Sequence, residues 1–297
     1  MKEIIRKLLK EKHAVLLAHN YQPPEIQDVA DLCGDSLELS IRASRTDAKI
    51  IVFCGVHFMA ETASILSPEK IVLLPRMDAG CPMADTITPE SLSAKLSELG
   101  PVPVVTYVNS PASVKAMSTV CCTSANVLKV INSIDAPEIL MTPDRNLAQY
   151  AARHTNKIVH IWDGCCPIHD RLTAEDITNA RQAHPGAMVM VHPECQRHVV
   201  EMADAVLSTS GMIRYAKDSS CSTFIVATEN GLLHTLRQNC PDKLFHPAAA
   251  HMMCSDMKKI SMEDVIHSLE TLDGQVRVPA SVRIPALTSV QRMIAIR

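Results

Sequence analysis

The chain repeats itself, and the repeat limits what it can fold into. A short apolar run, Ala14-Val15-Leu16-Leu17-Ala18, ends at His19-Asn20-Tyr21. A second, Val102-Pro103-Val104-Val105-Thr106, ends at Tyr107-Val108-Asn109, and a third, Ala187-Met188-Val189-Met190-Val191, ends at His192-Pro193-Glu194. The offsets are 88 and 85 residues. The same offsets relate Ser36, Ser124 and Thr209, the apolar runs that begin at Ile50, Glu138 and Thr223, and the pairs Met59-Ala60, Leu147-Ala148 and Leu232-Leu233. Several coincidences in one order set a period, the mark of one structural unit used three times.

Within each period, strand-like runs of apolar residues alternate with helix-like stretches, the pattern of an α/β protein with parallel sheets. Buried parallel strands read as continuous apolar runs, and these do. The expected fold is therefore three similar α/β units, each a small parallel sheet flanked by helices, around a central cavity. They span residues 1–83, 84–168 and 169–257. Residues 258–297 fall outside the repeat and are expected to pack back on the first unit, with helices near Met262 to Leu272 and Leu287 to Ile296 and with Pro279 and Pro285 between them. The alternative is one continuous doubly wound sheet of about nine strands.

Aromatic residues are only 3% of the chain, so the core must be built from Val, Ile, Leu, Ala and Met. A net charge of −3 leaves no basic field for nucleic acid. The opening residues, Met1 to Lys10, read as an amphipathic helix without a signal peptide's apolar centre. No apolar run approaches the ~20 residues of a membrane span. A cytoplasmic protein is expected.

Eleven cysteines in a chain of this length argue against a disulfide framework. Cys33, Cys54, Cys195, Cys221 and Cys240 read as small buried hydrophobes. Cys81, Cys166 and Cys254 differ in position, each following the third strand-like run of its unit (Ile71 to Leu74, Ile158 to Ile161, Leu244 to Phe245). One thiol per unit, delivered to a common centre, is a metal-site arrangement. Structural zinc needs a closed set of four ligands, usually in CxxC pairs, and no CxxC occurs here. A [4Fe–4S] cluster held by three thiolates, with one iron open as a Lewis acid, fits better.

Parallel α/β units bind ligands beyond the carboxyl ends of their strands. There lie His19, Tyr107 and His192 at the ends of first strands, the three cysteines in later loops, and Ser36, Ser124 and Thr209 where helices begin. A hydroxyl at a helix start is ordinarily an N-cap, worth about 1 kcal/mol. Three helix N-termini aimed at one cavity would also receive anionic groups. No GxGxxG or P-loop supports nucleotide binding. Glu194, after His192-Pro193, is the general-base candidate, with a pKa expected to rise by burial. Tyr21 and Tyr107 lie on the expected cavity wall. His13, His154, His184, His234 and His267 read as surface or packing residues.

The motifs Ala18-His19-Asn20-Tyr21-Gln22, Gly34-Asp35-Ser36-Leu37, Tyr107-Val108-Asn109-Ser110, Thr123-Ser124-Ala125-Asn126, Pro143-Asp144-Arg145-Asn146-Leu147 and Val191-His192-Pro193-Glu194-Cys195, with the three cysteine stretches, resemble quinolinate synthase over essentially the whole chain. The resemblance implies three units related by pseudo-threefold symmetry and an oxygen-sensitive [4Fe–4S] cluster at their junction. It implies condensation of iminoaspartate (iminosuccinate) with dihydroxyacetone phosphate to quinolinate, for NAD synthesis. L-aspartate oxidase or aspartate dehydrogenase would supply the imine.

Carried onto this sequence, Cys81, Cys166 and Cys254 would be cluster ligands. His19, Ser36, Tyr107, Val108, Asn109, Ser124, His192, Pro193, Glu194 and Thr209 would bind substrate. Glu194 would abstract protons, Tyr21 and Tyr107 would donate or shuttle them, and His19 and His192 would assist. One departure stands out: the family commonly has Gly-His-Cys-Pro where this chain has Gly164-Cys165-Cys166-Pro167. Cys166 is the match, and Cys165 is a competing thiol. Other readings of the residues are a different iron–sulfur dehydratase, a phospho-sugar lyase, or an iron–sulfur electron carrier or redox sensor with its fourth site closed.

Overall fold

A computed structural model describes residues 1–296; Arg297, the last residue of the expected tail segment, lies outside the described residues. Among the described residues twelve strands form three separate sheets. The first contains β1 (Ala14–His19), β2 (Leu32–Gly34), β3 (Ile50–Cys54) and β4 (Ile71–Leu73), in the order β2-β1-β3-β4. The second contains β5 (Val104–Tyr107), β6 (Val120–Cys122), β7 (Glu138–Thr142) and β8 (Ile158–Ile161), ordered β6-β5-β7-β8. The third contains β9 (Met188–Val191), β10 (Ala205–Val206), β11 (Thr223–Ala227) and β12 (Leu244–Pro247), ordered β10-β9-β11-β12. Every neighbouring pair is parallel. The same order three times excludes a single continuous sheet.

Each sheet has one more strand than the apolar runs suggested. β2, β6 and β10 are only two or three residues long, too short to show a period of two. Small boundary shifts have local causes. β5 starts at Val104 because Pro103 has no N–H to donate. β4 stops at Leu73 because Leu74 N–H turns away to Gly274 O at 2.8 Å.

The central strands carry the core: Leu16, Leu17, Ile51, Val52, Ile139, Leu140, Val189 and Ile225 are all fully buried. The expectation of fully buried strands fails at the sheet edges, where Ile158 of β8 is 62% exposed and Leu244 of β12 is 61% exposed. An edge strand is covered on fewer sides, and apolar composition alone does not reveal which strand is the edge.

The tail packs on two units. Helix Met262–Thr271 packs on the first helix, Lys2–Glu11. Helix Ala280–Ala295 packs on helix His57–Leu66 of the first unit and, more extensively, on helix Ala112–Lys115 and β6 of the second. Ser289 Oγ donates to Lys115 O at 2.7 Å, and Asn126 Nδ2 donates to Met293 O at 3.0 Å. This helix begins before Pro285 rather than after it, with Pro279 as its N-cap residue. Among the described residues no helix is long and apolar enough to cross a membrane.

Candidate active site

The carboxyl ends of the three sheets border a cavity of about 130 Å³. The first unit supplies His19, Tyr21, Ser36 and Cys81 to its wall. The second supplies Tyr107, Asn109, Ser124 and Cys166, and the third His192, Glu194, Thr209 and Cys254. The strands do the positioning. His19 and Tyr107 are the last residues of β1 and β5, and His192 directly follows β9. Val108, Pro193 and Cys165 are not part of the wall.

The hydroxyls are not the helix caps. Asp35 caps helix Ser36–Arg45, accepting from Leu37 N and Glu38 N, and Ser208 caps helix Thr209–Asp218, accepting from Gly211 N. Asn126 is the N-cap residue of helix Val127–Ser133, beyond Ser124. Ser36 and Thr209 therefore stand one place inside their helices. Thr209 Oγ1 accepts from Asn20 Nδ2 at 3.1 Å. Neighbouring side chains cap the first and third of these helices, Asn126 makes no side-chain cap bond to the second, and Ser36, Ser124 and Thr209 line the cavity.

Glu194 is the centre of the polar wall and is 3% exposed. Tyr107 Oη donates to its Oε1 at 2.5 Å, and His169 Nδ1 lies 3.0 Å from its Oε2. Burial pushes the Glu194 carboxyl up. The facing imidazoles of His169 and His192, with hydrogen bonds from His169 and Tyr107, outweigh burial and hold it below its usual range. The expected upward shift is thus reversed, because burial comes together with a donor for each oxygen. Burial, and then the Glu194 charge, push the phenols of Tyr107 and Tyr21 well above their ordinary value.

His19 and His192 are neutral. Burial lowers both to about 3, with Lys258 adding to the effect at His19. Nδ1 of His19 accepts from Tyr21 N at 3.2 Å, which leaves the proton on Nε2. In His192, Nδ1 accepts from Glu194 N at 3.4 Å, so Nε2–H donates to Ser124 Oγ at 3.2 Å.

Two further wall residues, His169 and Glu229, are not among those expected from the sequence. His169 lies one helical turn after Cys166, with Nδ1 3.2 Å from its sulfur and Nε2 2.8 Å from Thr228 Oγ1. That hydroxyl also meets Tyr21 Oη at 2.6 Å. Glu229 is fully buried on the wall and paired with Lys258 at 2.9 Å. The Cys-x-x-His spacing of Cys166 and His169 was the available clue. Glu229 had none, since its partner lies 29 residues away.

All eleven cysteines are free thiols. Burial raises the Cys81 thiol to about 12, with the Cys254 thiol adding to the effect, and burial, Glu194 and Cys81 together raise Cys166 well above the usual range. Cys254 is raised by burial and by Glu229. Cys166, His169 and Glu194 bring ligand atoms within 4.8 Å of one another, a grouping able to hold a metal ion.

Known proteins are similar to this chain along its whole length. Quinolinate synthase of Geobacter sp. (strain M21) is 53% identical over 296 residues, covering 100% of this chain and 97% of that protein. Quinolinate synthase of Geobacter metallireducens is 52% identical with the same coverage. That of Thermodesulfovibrio yellowstonii is 48% identical over 99% of this chain and 97% of its own length. The family model described as quinolinate synthetase A protein matches residues 3–295. With three equivalent sheets that deliver a thiol apiece to one cavity, and with that match along nearly its whole length, the chain belongs to the quinolinate synthetase A protein family.

Proposed function

We propose that the chain condenses iminoaspartate with dihydroxyacetone phosphate to quinolinate, releasing phosphate and two waters. The observation that carries the reading is the meeting of Cys81, Cys166 and Cys254, one from each unit, on the wall that also holds the Tyr107–Glu194 pair. Burial and mutual repulsion keep these three unpaired thiols protonated when no cation is among them. A cation bound among them would displace those protons and take the sulfurs as thiolates. That donor set fits a [4Fe–4S] cluster held by Cys81, Cys166 and Cys254. When bound, such a cluster supplies Lewis-acid chemistry for a substrate oxygen at the iron without a cysteine.

The side chains provide the rest. Ser36 and Thr209, at the N-terminal ends of their helices, and Ser124 offer hydroxyls and helix-end N–H groups to the carboxylates and the phosphate. Asn109 Oδ1 is buried without a partner, a free acceptor on the wall for a substrate donor. Glu194, ionised and held on both oxygens, takes the proton from carbon in the condensation and aromatisation steps. Tyr107, kept protonated, returns one. Tyr21, Thr228, His169 and Glu194 form a continuous hydrogen-bonded chain, so a proton can pass along the wall without reaching solvent. The unstable imine would come from L-aspartate oxidase or aspartate dehydrogenase.

A second reading follows from the Cys166, His169 and Glu194 grouping: a single ion, such as zinc, held by those three side chains. An anaerobic assay tests the first. Quinolinate should form from enzymatically generated iminoaspartate and dihydroxyacetone phosphate, and only with iron-loaded protein. Absence of product with the iron-loaded chain, or equal activity with zinc alone, would remove it.

A further inference from the structure

We propose that Asp144 and Glu229 are positioning residues for the metal-binding thiols of Cys166 and Cys254. Each accepts the backbone N–H of its cysteine and so fixes where the sulfur points. The inference rests on the reading of those cysteines as metal ligands.

The two carboxylates are counterparts in the repeat. Asp144 lies two residues past the end of β7, Glu229 lies two residues past the end of β11, and the offset between them is again 85. Cys166 N donates to Asp144 Oδ2 at 3.2 Å, and Cys254 N donates to Glu229 Oε1 at 3.1 Å. The second oxygen of each carboxylate is also used. Asp144 Oδ1 accepts from Leu147 N at 2.6 Å, and Glu229 Oε2 accepts from Gly231 N at 2.7 Å. Asp144 is 2% exposed and Glu229 0%.

Two buried acids behind groups that must themselves become anionic are costly unless a cation compensates them. Lys258 offsets Glu229 only. Fixing ligands through an outer layer of hydrogen bonds is how metal sites are held.

The first unit is the exception that shows the function is needed. Two residues past β3 stands Val56, which has no acceptor to offer. The Cys81 loop is instead fastened across the junction, with Gly80 N donating to Asp256 Oδ1 at 3.2 Å. Asp256 is in turn held by Lys259 at 2.8 Å, whose Nζ also donates to Asp78 O at 2.5 Å. Asp256 belongs to the loop of Cys254, so the first thiol is placed by the third unit.

The test uses Asp144→Asn and Glu229→Gln in the full chain. An amide keeps one oxygen and presents an NH2 group where the second N–H needs an acceptor. Cadmium is titrated anaerobically into the metal-free protein and followed by thiolate-to-metal absorption. In parallel, alkylation rates of individual cysteines are read by mass spectrometry. Each variant should bind cadmium roughly 10–100-fold more weakly than wild type. Alkylation of Cys166 should quicken several-fold in Asp144→Asn with Cys254 unchanged, and the reverse should hold in Glu229→Gln. Wild-type cadmium affinity in both variants, or equal acceleration of all three thiols as in a general loosening, overturns the inference. Failure of the wild-type chain to bind cadmium would instead overturn the metal reading beneath it. The two variants sit in different units, so a folding defect in one leaves the other to decide.

Discussion

Tyr107 donates its phenolic proton to Glu194 Oε1 at 2.5 Å, joining the second sheet to the third inside the cavity. That bond is among the influences keeping the carboxyl low, so Tyr107→Phe raises the Glu194 pKa. A general base works when deprotonated, above its pKa. The acid limb of the kcat/KM pH profile in Tyr107→Phe should therefore move to higher pH, and an unmoved limb would contradict the pairing.

Replacing Glu194 with Gln preserves shape and removes the base. Turnover should fall by roughly 10²–10⁴-fold with KM changed far less, as for loss of a positioned general base. Anaerobic steady-state kinetics with both substrates varied checks this; a loss confined to KM would assign Glu194 to binding alone.

Acid should destabilise the metal-free fold through its buried histidines. In the folded chain His19 and His192 titrate near 3, whereas unfolded histidines titrate near their ordinary 6.5. Between those limits the unfolded state binds more protons, so the stability these neutral rings contribute is present above about pH 6.5 and is lost as pH falls toward 3. Each contributes up to roughly 1.4 kcal/mol per pH unit in that window. Urea unfolding from pH 7 to 5 should show the slope, and His192→Asn should reduce it.

Much of this site could be read in the sequence because the repeat carries polar residues at the same strand ends three times. His19, Tyr107 and His192 needed only the offsets and the rule that ligands gather at carboxyl ends. What stayed hidden depended on contacts between residues far apart in the chain and on strands too short to read. His169 meets Glu194 across the cavity wall, Glu229 finds Lys258 far along the chain, and β10 has two residues only. The start of the tail helix was set too late because proline was read as a break. The downward shift of Glu194 escaped because burial can be inferred from composition, while the donors that offset it cannot.

Adjacent hydroxyls in the third unit should separate stability from activity. Ser208 caps its helix, so Ser208→Ala should cost about 1 kcal/mol while turnover holds. Thr209 faces the cavity instead, so Thr209→Ala should raise KM with little change in thermal midpoint. The opposite assignment of effects would show that the cap had been placed on the wrong residue.

Iron and sulfide per chain, measured after anaerobic reconstitution of wild type and the single variants Cys81→Ala, Cys166→Ala, Cys254→Ala and Cys165→Ala, tests the meeting of the three units most directly. Wild type and Cys165→Ala should carry one brown [4Fe–4S] cluster, and the other three variants should lose it. A full cluster in Cys81→Ala or Cys254→Ala, or a colourless wild type holding a single zinc, would contradict a centre built from one thiol of each unit.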